Sequence, residues 1–175
     1  MSQEFSYPIG KFVAQASYTP EDRSGFLGIL EKLPTNLREA VSGLSEAQLE
    51  TPYRDGGWTI RQVVHHVADS HLQAYMRFKL ALTEENPFVT AYDQPAWGEL
   101  EDARTAPPEL SLKLLAALHV RWVDVLHGMK VEDFARTFEL KSETKTLDTM
   151  LHLYAWHGHH HVAQIFQLKL RKGWQ

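Results

Sequence analysis

Apolar residues recur along this chain at steps of three and four, and the rhythm divides it into four long helical stretches. The first opens at Thr19-Pro20. Thr is a strong N-cap, Pro suits the first helical position, and Glu21-Asp22 place acid at the positive end of the dipole. Phe26, Ile29, Leu30, Leu33, Leu37, Val41 and Leu44 then supply an apolar face. Pro34 falls inside it and predicts a kink or a short break. Ser45-Glu46-Ala47-Gln48 reads as a short capped turn. A second helix starts at Trp58 or Thr59, after a loop punctuated by Gly56 and Gly57. It carries Ile60, Val63, Val64, Val67, Leu72, Tyr75, Met76 and Leu80 to about Leu82, and Asn86-Pro87 closes it.

From Phe88 to Ala106 no strong period is visible. A loop of that length in a compact domain is often functional, and Tyr92 and Trp97 are its candidates for a pocket lid. Pro107-Pro108 opens a third helix with Leu110, Leu112, Leu114, Leu115, Leu118, Trp122, Val125 and Leu126 at its apolar positions; Gly128 stops it. Glu132 to Ala135 suggests one more turn, and Phe138 to Lys145 a small extended or hairpin piece. The fourth helix starts at Ser142 or Thr146. It presents Leu147, Met150, Leu151, Tyr154, Ile165, Phe166 and Leu168, and Gly173 is its C-cap. Near the N-terminus Tyr7-Pro8-Ile9-Gly10 reads as a turn, followed by Phe12, Val13 and Ala14 as packing residues. Four long amphipathic patterns with little strand signal predict an all-α protein, a helix bundle forming a single domain over residues 1–175.

Composition fits that picture and narrows the function. Apolar residues make up 43% and charged residues 23%, ordinary values for a globular domain. A net charge of -4 with no basic stripe argues against nucleic acid or anionic membrane as partner. Lys169-Leu170-Arg171-Lys172 reads instead as cations at the negative end of the last helix. Cysteine is absent, which removes disulfides, thiolate ligands and a cysteine nucleophile together. Met1-Ser2-Gln3-Glu4-Phe5 lacks the pattern of a secretory signal, and no run approaches the ~20 apolar residues of a membrane span. A cytoplasmic location is the expectation.

The chemistry lies in the histidines, ten in number, five of them between His152 and His161. His157 and His161 are four residues apart and so share a helix face, with Cβ atoms about 5–6 Å apart. Two imidazoles at that spacing can bind one metal at ~2.0–2.1 Å each. The series Met150, Tyr154, His157, His161, Ile165, Leu168 follows the core rhythm, so both rings should point inward. Interior imidazoles need polar partners, since an unsatisfied buried group costs ~1–3 kcal/mol. A third ligand must come from another helix, and the second offers His65, His66 and His71; periodicity does not choose among them.

The stretches Trp58-Thr59-Ile60-Arg61-Gln62-Val63-Val64-His65-His66-Val67-Ala68-Asp69-Ser70 and Tyr154-Ala155-Trp156-His157-Gly158-His159-His160-His161-Val162-Ala163-Gln164-Ile165 resemble the second- and fourth-helix motifs of the DinB-like superfamily. Tyr7-Pro8-Ile9-Gly10 and the Tyr92-Asp93 to Trp97 loop are similar to its YfiT-like branch, provisionally named metal-dependent hydrolases. The resemblance covers nearly the whole chain. It implies a four-helix bundle of up-down-down-up topology, a homodimer, and one divalent metal per chain, zinc or nickel, on His66, His157 and His161. Gln164 departs from it, standing where some relatives carry a further histidine.

Three histidines leave such a metal open to water, because a structural zinc site usually has four protein ligands. The function implied is hydrolysis of a small substrate. The alternatives are an S-transferase that activates a low-molecular-weight thiol and a non-catalytic metal-binding module. Asp69, one turn beyond His66, is a candidate general base, a partner for a ligand's second nitrogen, or a solvated residue. His160 beside the ligand pair is a candidate for touching substrate or for a surface role.

Overall fold

The computed structural model describes residues 5–174; the leader reading of Met1 to Glu4 lies outside them. Four long helices dominate: α1 (Pro20–Val41), α3 (Ile60–Thr83), α6 (Pro108–His127) and α7 (Leu147–Lys172). Short helices α2 (Glu46–Leu49), α4 (Gln94–Gly98) and α5 (Glu101–Thr105) fill the connections. A 3-10 turn (Val131–Ala135) and a hairpin of β1 (Thr137–Leu140) and β2 (Glu143–Thr146) precede α7.

The starts follow the caps read from the sequence. Thr19, Ser45 and Thr59 each accept the backbone N–H three residues on, and Asp22, Gln48 and Gln62 return the bond as capping boxes. Thr146, not Ser142, caps α7. Gly173 adopts the left-handed conformation that ends it, with φ 65°.

Residue pairing gives the topology. Along α1 and α7, Arg23 pairs with Asp148, Gly158 lies against Leu33, and Lys169 reaches the Ala40 carbonyl, so the numbers climb together. The same holds for α3 and α6, through His65 with Ser111, His71 with His119 and Phe78 with Trp122. Between α1 and α6 they run oppositely, Arg38 to Glu109 and Glu31 to His127. The same is true of α3 and α7, His66 to His157 and Arg77 to Tyr154. The bundle is therefore up-down-down-up, with neighbours in the ring order α1, α7, α3, α6.

The core is in two parts. One holds Leu33, Leu37, Val63, Val67, Leu115 and Ile165; the other holds Leu30, Phe78, Trp122, Phe138, Leu151 and Tyr154. On α3, α6 and α7 the boundary falls at histidines: His71, His119, and His157 with His161. A polar layer thus crosses the bundle between two apolar blocks.

Several readings change. Pro34 does not interrupt α1, which runs unbroken to Val41. Of the N-terminal residues, Phe12 packs on His152 and Trp156, whereas Val13 and Ala14 are exposed. Leu110 and Leu114 face outward, because the buried face of α6 runs Leu112, Leu115, His119, Trp122, Leu126. Ile29, Met76 and Phe166 are also exposed. The stretch without period contains α4 and α5, too short to show one.

Gly158 sits where α7 meets α1. A Cβ there would come within 2.3 Å of the Leu33 side chain. Gly158→Ala should cost about 1–3 kcal/mol of stability, read as a shifted denaturation midpoint. The cost should shrink in a Leu33→Ala background; equal costs in both would show that this contact is not the cause.

Candidate metal centre

Helix α3 delivers His66 to the middle of the bundle, and α7 delivers His157 and His161 from the facing side. Their ring centroids lie 4.6–5.2 Å apart in all three pairings. The Nε2 atoms of His66 and His157 are 3.2 Å apart, and one nitrogen from each of the three rings lies within 4.8 Å of the others. Among the described residues no other group of three histidines and carboxylates converges in this way. Two donors on a tetrahedral ion at ~2.0–2.1 Å are about 3.3 Å apart, so the set fits a divalent cation.

The orientation of each of these rings has a cause that can be followed outward. Proline has no N–H, so Pro34 cannot donate to the carbonyl of Leu30, four residues before it in α1. That carbonyl accepts instead from Nδ1 of His119 at 2.7 Å. A carbonyl only accepts, so His119 carries its proton on Nδ1 and its Nε2 has a lone pair. Nε2 then accepts from Nδ1 of His71 at 3.0 Å, and Nε2 of His71 accepts from Nδ1 of His157 at 3.3 Å. Each neutral ring transmits the polarity to the next. The line ends with a lone pair on Nε2 of His157, facing His66.

His161 is set independently. Its Nδ1 donates to Oε1 of Gln164 at 2.9 Å. Gln164 cannot flip, because its Nε2 donates at 3.0 Å both to the Ser6 carbonyl and to Nε2 of His160. Nε2 of His161 is left bearing a lone pair too. The departure at Gln164 therefore supplies the hydrogen-bond partner of His161. His160 is buried behind this amide and stacked on Trp156.

His66 is held by packing. Trp58 lies against it at 4.6 Å, and Trp58 has its place because Gly98 of α4 adds no side chain; a Cβ would meet the indole at 2.8 Å. Gln62 fastens the same spot by donating to the Gly98 carbonyl at 2.7 Å. His65 turns away, bonding Ser111 and the Ala106 carbonyl.

Burial keeps these rings neutral. It pushes His66 and His119 down to about 4 and holds His71, His157 and His161 well below the ordinary imidazole range; repulsion among neighbouring rings adds to it for His66 and the last three. Lone pairs are therefore available at neutral pH.

Asp69 is half-buried, and its carboxylate makes no hydrogen bond or ion pair among the described residues. It is not the partner of a ligand's second nitrogen; His71 and Gln164 fill that role. Tyr92 and Trp97 lean on each other at 4.6 Å, and Tyr92 borders a cavity beside α3. His152 is packed among Phe12, Tyr18 and Phe26, and His159 is exposed. Sequence reasoning weighed His71 only as an alternative third ligand to His66 and gave His119 no role. Their signal was a histidine at an apolar position of each core face, level with the ligand pair.

Fold and site together define a helical bundle with a buried three-histidine cluster, and the chain belongs to the DinB superfamily, whose sequence profile matches residues 29–165. Within it the chain is similar to YfiT of Bacillus subtilis, 48% identical over 176 residues that cover 99% of this chain and 98% of YfiT. The solved structure of YfiT matches with a TM-score of 0.96 over 98% of this chain and 99% of that one. It is described as an unusual four-helix bundle, and the protein is provisionally named a metal-dependent hydrolase. Relatives bearing the same provisional name come from Geobacillus thermodenitrificans (46% identical over 170 residues, 96% of each chain) and Bacillus cereus (45% over 172 residues, 98% of this chain and 99% of the other).

The relay sets two expectations. His71→Phe deprives His157 of its acceptor and should weaken zinc binding about 10–100-fold in competition with a chelator, with helicity unchanged. Unaltered affinity would show that the relay does not orient the ligand. The second concerns acid. The folded chain keeps these rings neutral while the unfolded chain protonates them below ~6.5, so stability is full above that pH and falls toward pH 4, by up to about 1.4 kcal/mol per pH unit per ring. Denaturation of metal-free protein at pH 7.5 and pH 5 measures it; equal midpoints would contradict buried neutral rings.

Proposed function

We propose that His66, His157 and His161 hold one divalent metal ion, zinc or nickel, and that the protein is a metal-dependent hydrolase of a small substrate. The observation that carries this reading is the pair of outward hydrogen bonds, His157 to His71 and His161 to Gln164, that turns two Nε2 lone pairs inward. When bound, the ion supplies Lewis acidity, which polarises a carbonyl and makes water nucleophilic near neutral pH. Three nitrogen donors and no thiolate leave room for a substrate atom. The provisional name of the relatives supports the same class.

The chain's own residues do the rest. The relay holds His157 in one tautomer, and Trp58 shields the His66 side from water. Asp69 follows His66 by one turn, its carboxyl pushed up to about 6 chiefly by burial. A carboxylate near that value can take a proton from water and return it to a leaving amine or alcohol. The same donor set suits activation of a thiol cosubstrate, so the assay needs a thiol arm.

Elemental analysis should find one ion per wild-type chain and none in His157→Ala or His161→Ala; retention in both would sink the assignment. Loaded protein is then assayed on ester and amide panels and for conjugation of a low-molecular-weight thiol. Asp69→Asn should keep its metal and lose about 10²–10⁴-fold in hydrolysis. The base must be deprotonated to act, so the wild-type rate should rise as pH climbs through about 6. Metal-dependent melting without turnover on either panel would point to a binding module.

A further inference from the structure

A buried guanidinium without a counter-charge stands beside the metal centre. Arg77 of α3 is 7% exposed. One nitrogen donates to the Tyr154 hydroxyl at 2.9 Å, while Nε is buried and has no acceptor. The fold treats its other sheltered arginines differently. Arg61 pairs with Glu46 and Glu50, Arg23 holds Asp148 through two bonds of 2.7 Å, and Arg136 reaches the carbonyls of Ala81 and Glu84. No carboxylate among the described residues forms an ion pair with Arg77. A buried cation is normally matched by an anion, because desolvating a charge is costly.

The counter-anion has a place to come from. Arg77 lines a cavity of about 530 Å³ with Tyr92, Asp93, Gln94, Leu140 and Lys141. Asp93 is already engaged, accepting the Ala96 N–H at 3.0 Å as the cap of α4. Lys141, at the hairpin tip, brings a second positive charge to the rim. The hairpin is fixed there by backbone bonds of 2.9 Å between Glu139 and the chain at Pro87 and Val89. Tyr154 links the cavity to the metal centre: its hydroxyl meets Arg77, and its ring lies 5.8 Å from that of His157, one turn further along α7.

We infer that this cavity, with Arg77 at its base and Lys141 at its rim, binds a carboxylate or phosphate group of the substrate whose reacting bond lies at the three histidines. The guanidinium fork matches either oxyanion, and Tyr92 brings a phenol to the same lining. The inference rests on the metal-centre reading for the word substrate; the anion subsite itself stands on Arg77 and the cavity. The enzyme thus acts on small anionic esters or amides, and an uncharged analogue is a poor ligand.

Calorimetric titration of zinc-loaded protein with succinate, with inorganic phosphate and with uncharged succinamide tests this. Succinate or phosphate should saturate and succinamide should not; the tighter of the two identifies the oxyanion. Arg77→Gln should weaken that anion about tenfold or more, and Lys141→Gln, at an exposed position that leaves folding intact, about two- to fivefold. His157→Ala should lose zinc and keep the anion. Wild-type affinity in both Arg77→Gln and Lys141→Gln, or no saturation by either anion, overturns the subsite. Anion binding that disappears in His157→Ala but survives Arg77→Gln places the anion on the metal, which overturns the subsite and leaves the metal centre standing. A wild type that takes up neither zinc nor nickel overturns the metal centre alone.

Discussion

The tautomer of His157, the ring at the centre of the site, depends on one backbone carbonyl. Leu30 would give its oxygen to a helical N–H if residue 34 had one, and Pro34 does not. The oxygen is the fixed end of a line of three imidazoles, His119, His71 and His157. A neutral imidazole has one donor and one acceptor, so a line of them has a direction. A carbonyl at the far end permits one direction, and the near end is then a lone pair. A donor in place of the carbonyl would reverse every ring and turn an N–H toward His66. The proline that weakens α1 locally is therefore what lets the bundle specify a tautomer three residues away in space.

The topology makes this possible. The relay needs α1, α6, α3 and α7 in that spatial order, because each bond crosses from one helix to the next. The ring order α1, α7, α3, α6 supplies those contacts, with α1 against α6, α6 against α3, and α3 against α7. The polar layer has a cost in stability, since histidines occupy positions where leucine would pack. It divides the core into two blocks. Full satisfaction limits that cost: along the relay every nitrogen has a partner as far as the lone pair of His157, and a half-satisfied line would be worse than an apolar core.

How much of this was legible follows from the range of each signal. Helix spans, caps and the inward pair His157 and His161 are local properties of one helix, and the sequence carried them. The choice of His66 over His65 was not local, since both lie on buried turns of α3 and only the facing helix separates them; resemblance to a family decided it. Pro34 was legible as a disturbance of α1 but not as the source of a free acceptor, because its consequence lies on α6. The relay role of His71 and His119 was hidden for the same reason. A buried histidine becomes a relay only beside another, and adjacency between helices is not written in the period of either. The hairpin was legible as a short extended piece from Phe138 to Lys145, but its turn was not, because Lys141 and Ser142 adopt positive φ without a glycine or asparagine to announce it.

The two ionic features of the interior follow opposite rules. Five central histidines are kept neutral by burial, and the outward nitrogens of His119, His71, His157 and His161 are satisfied by the Leu30 carbonyl, by one another and by Gln164, which leaves the Nε2 atoms of His157 and His161 turned toward His66. Arg77 cannot be neutralised in that way, because a guanidinium does not give up its proton in a protein. Burial therefore leaves it dependent on an anion. The chain supplies none within ion-pair distance among the described residues, although it has carboxylates to spare and uses them on Arg23, Arg38 and Arg61. A bundle that satisfies a line of imidazoles down to a carbonyl oxygen, and yet leaves one cation open toward a cavity, has placed its unmet needs side by side. The lone pair of His157 lies one turn of α7 beyond Tyr154, whose hydroxyl accepts from the guanidinium of Arg77 on α3.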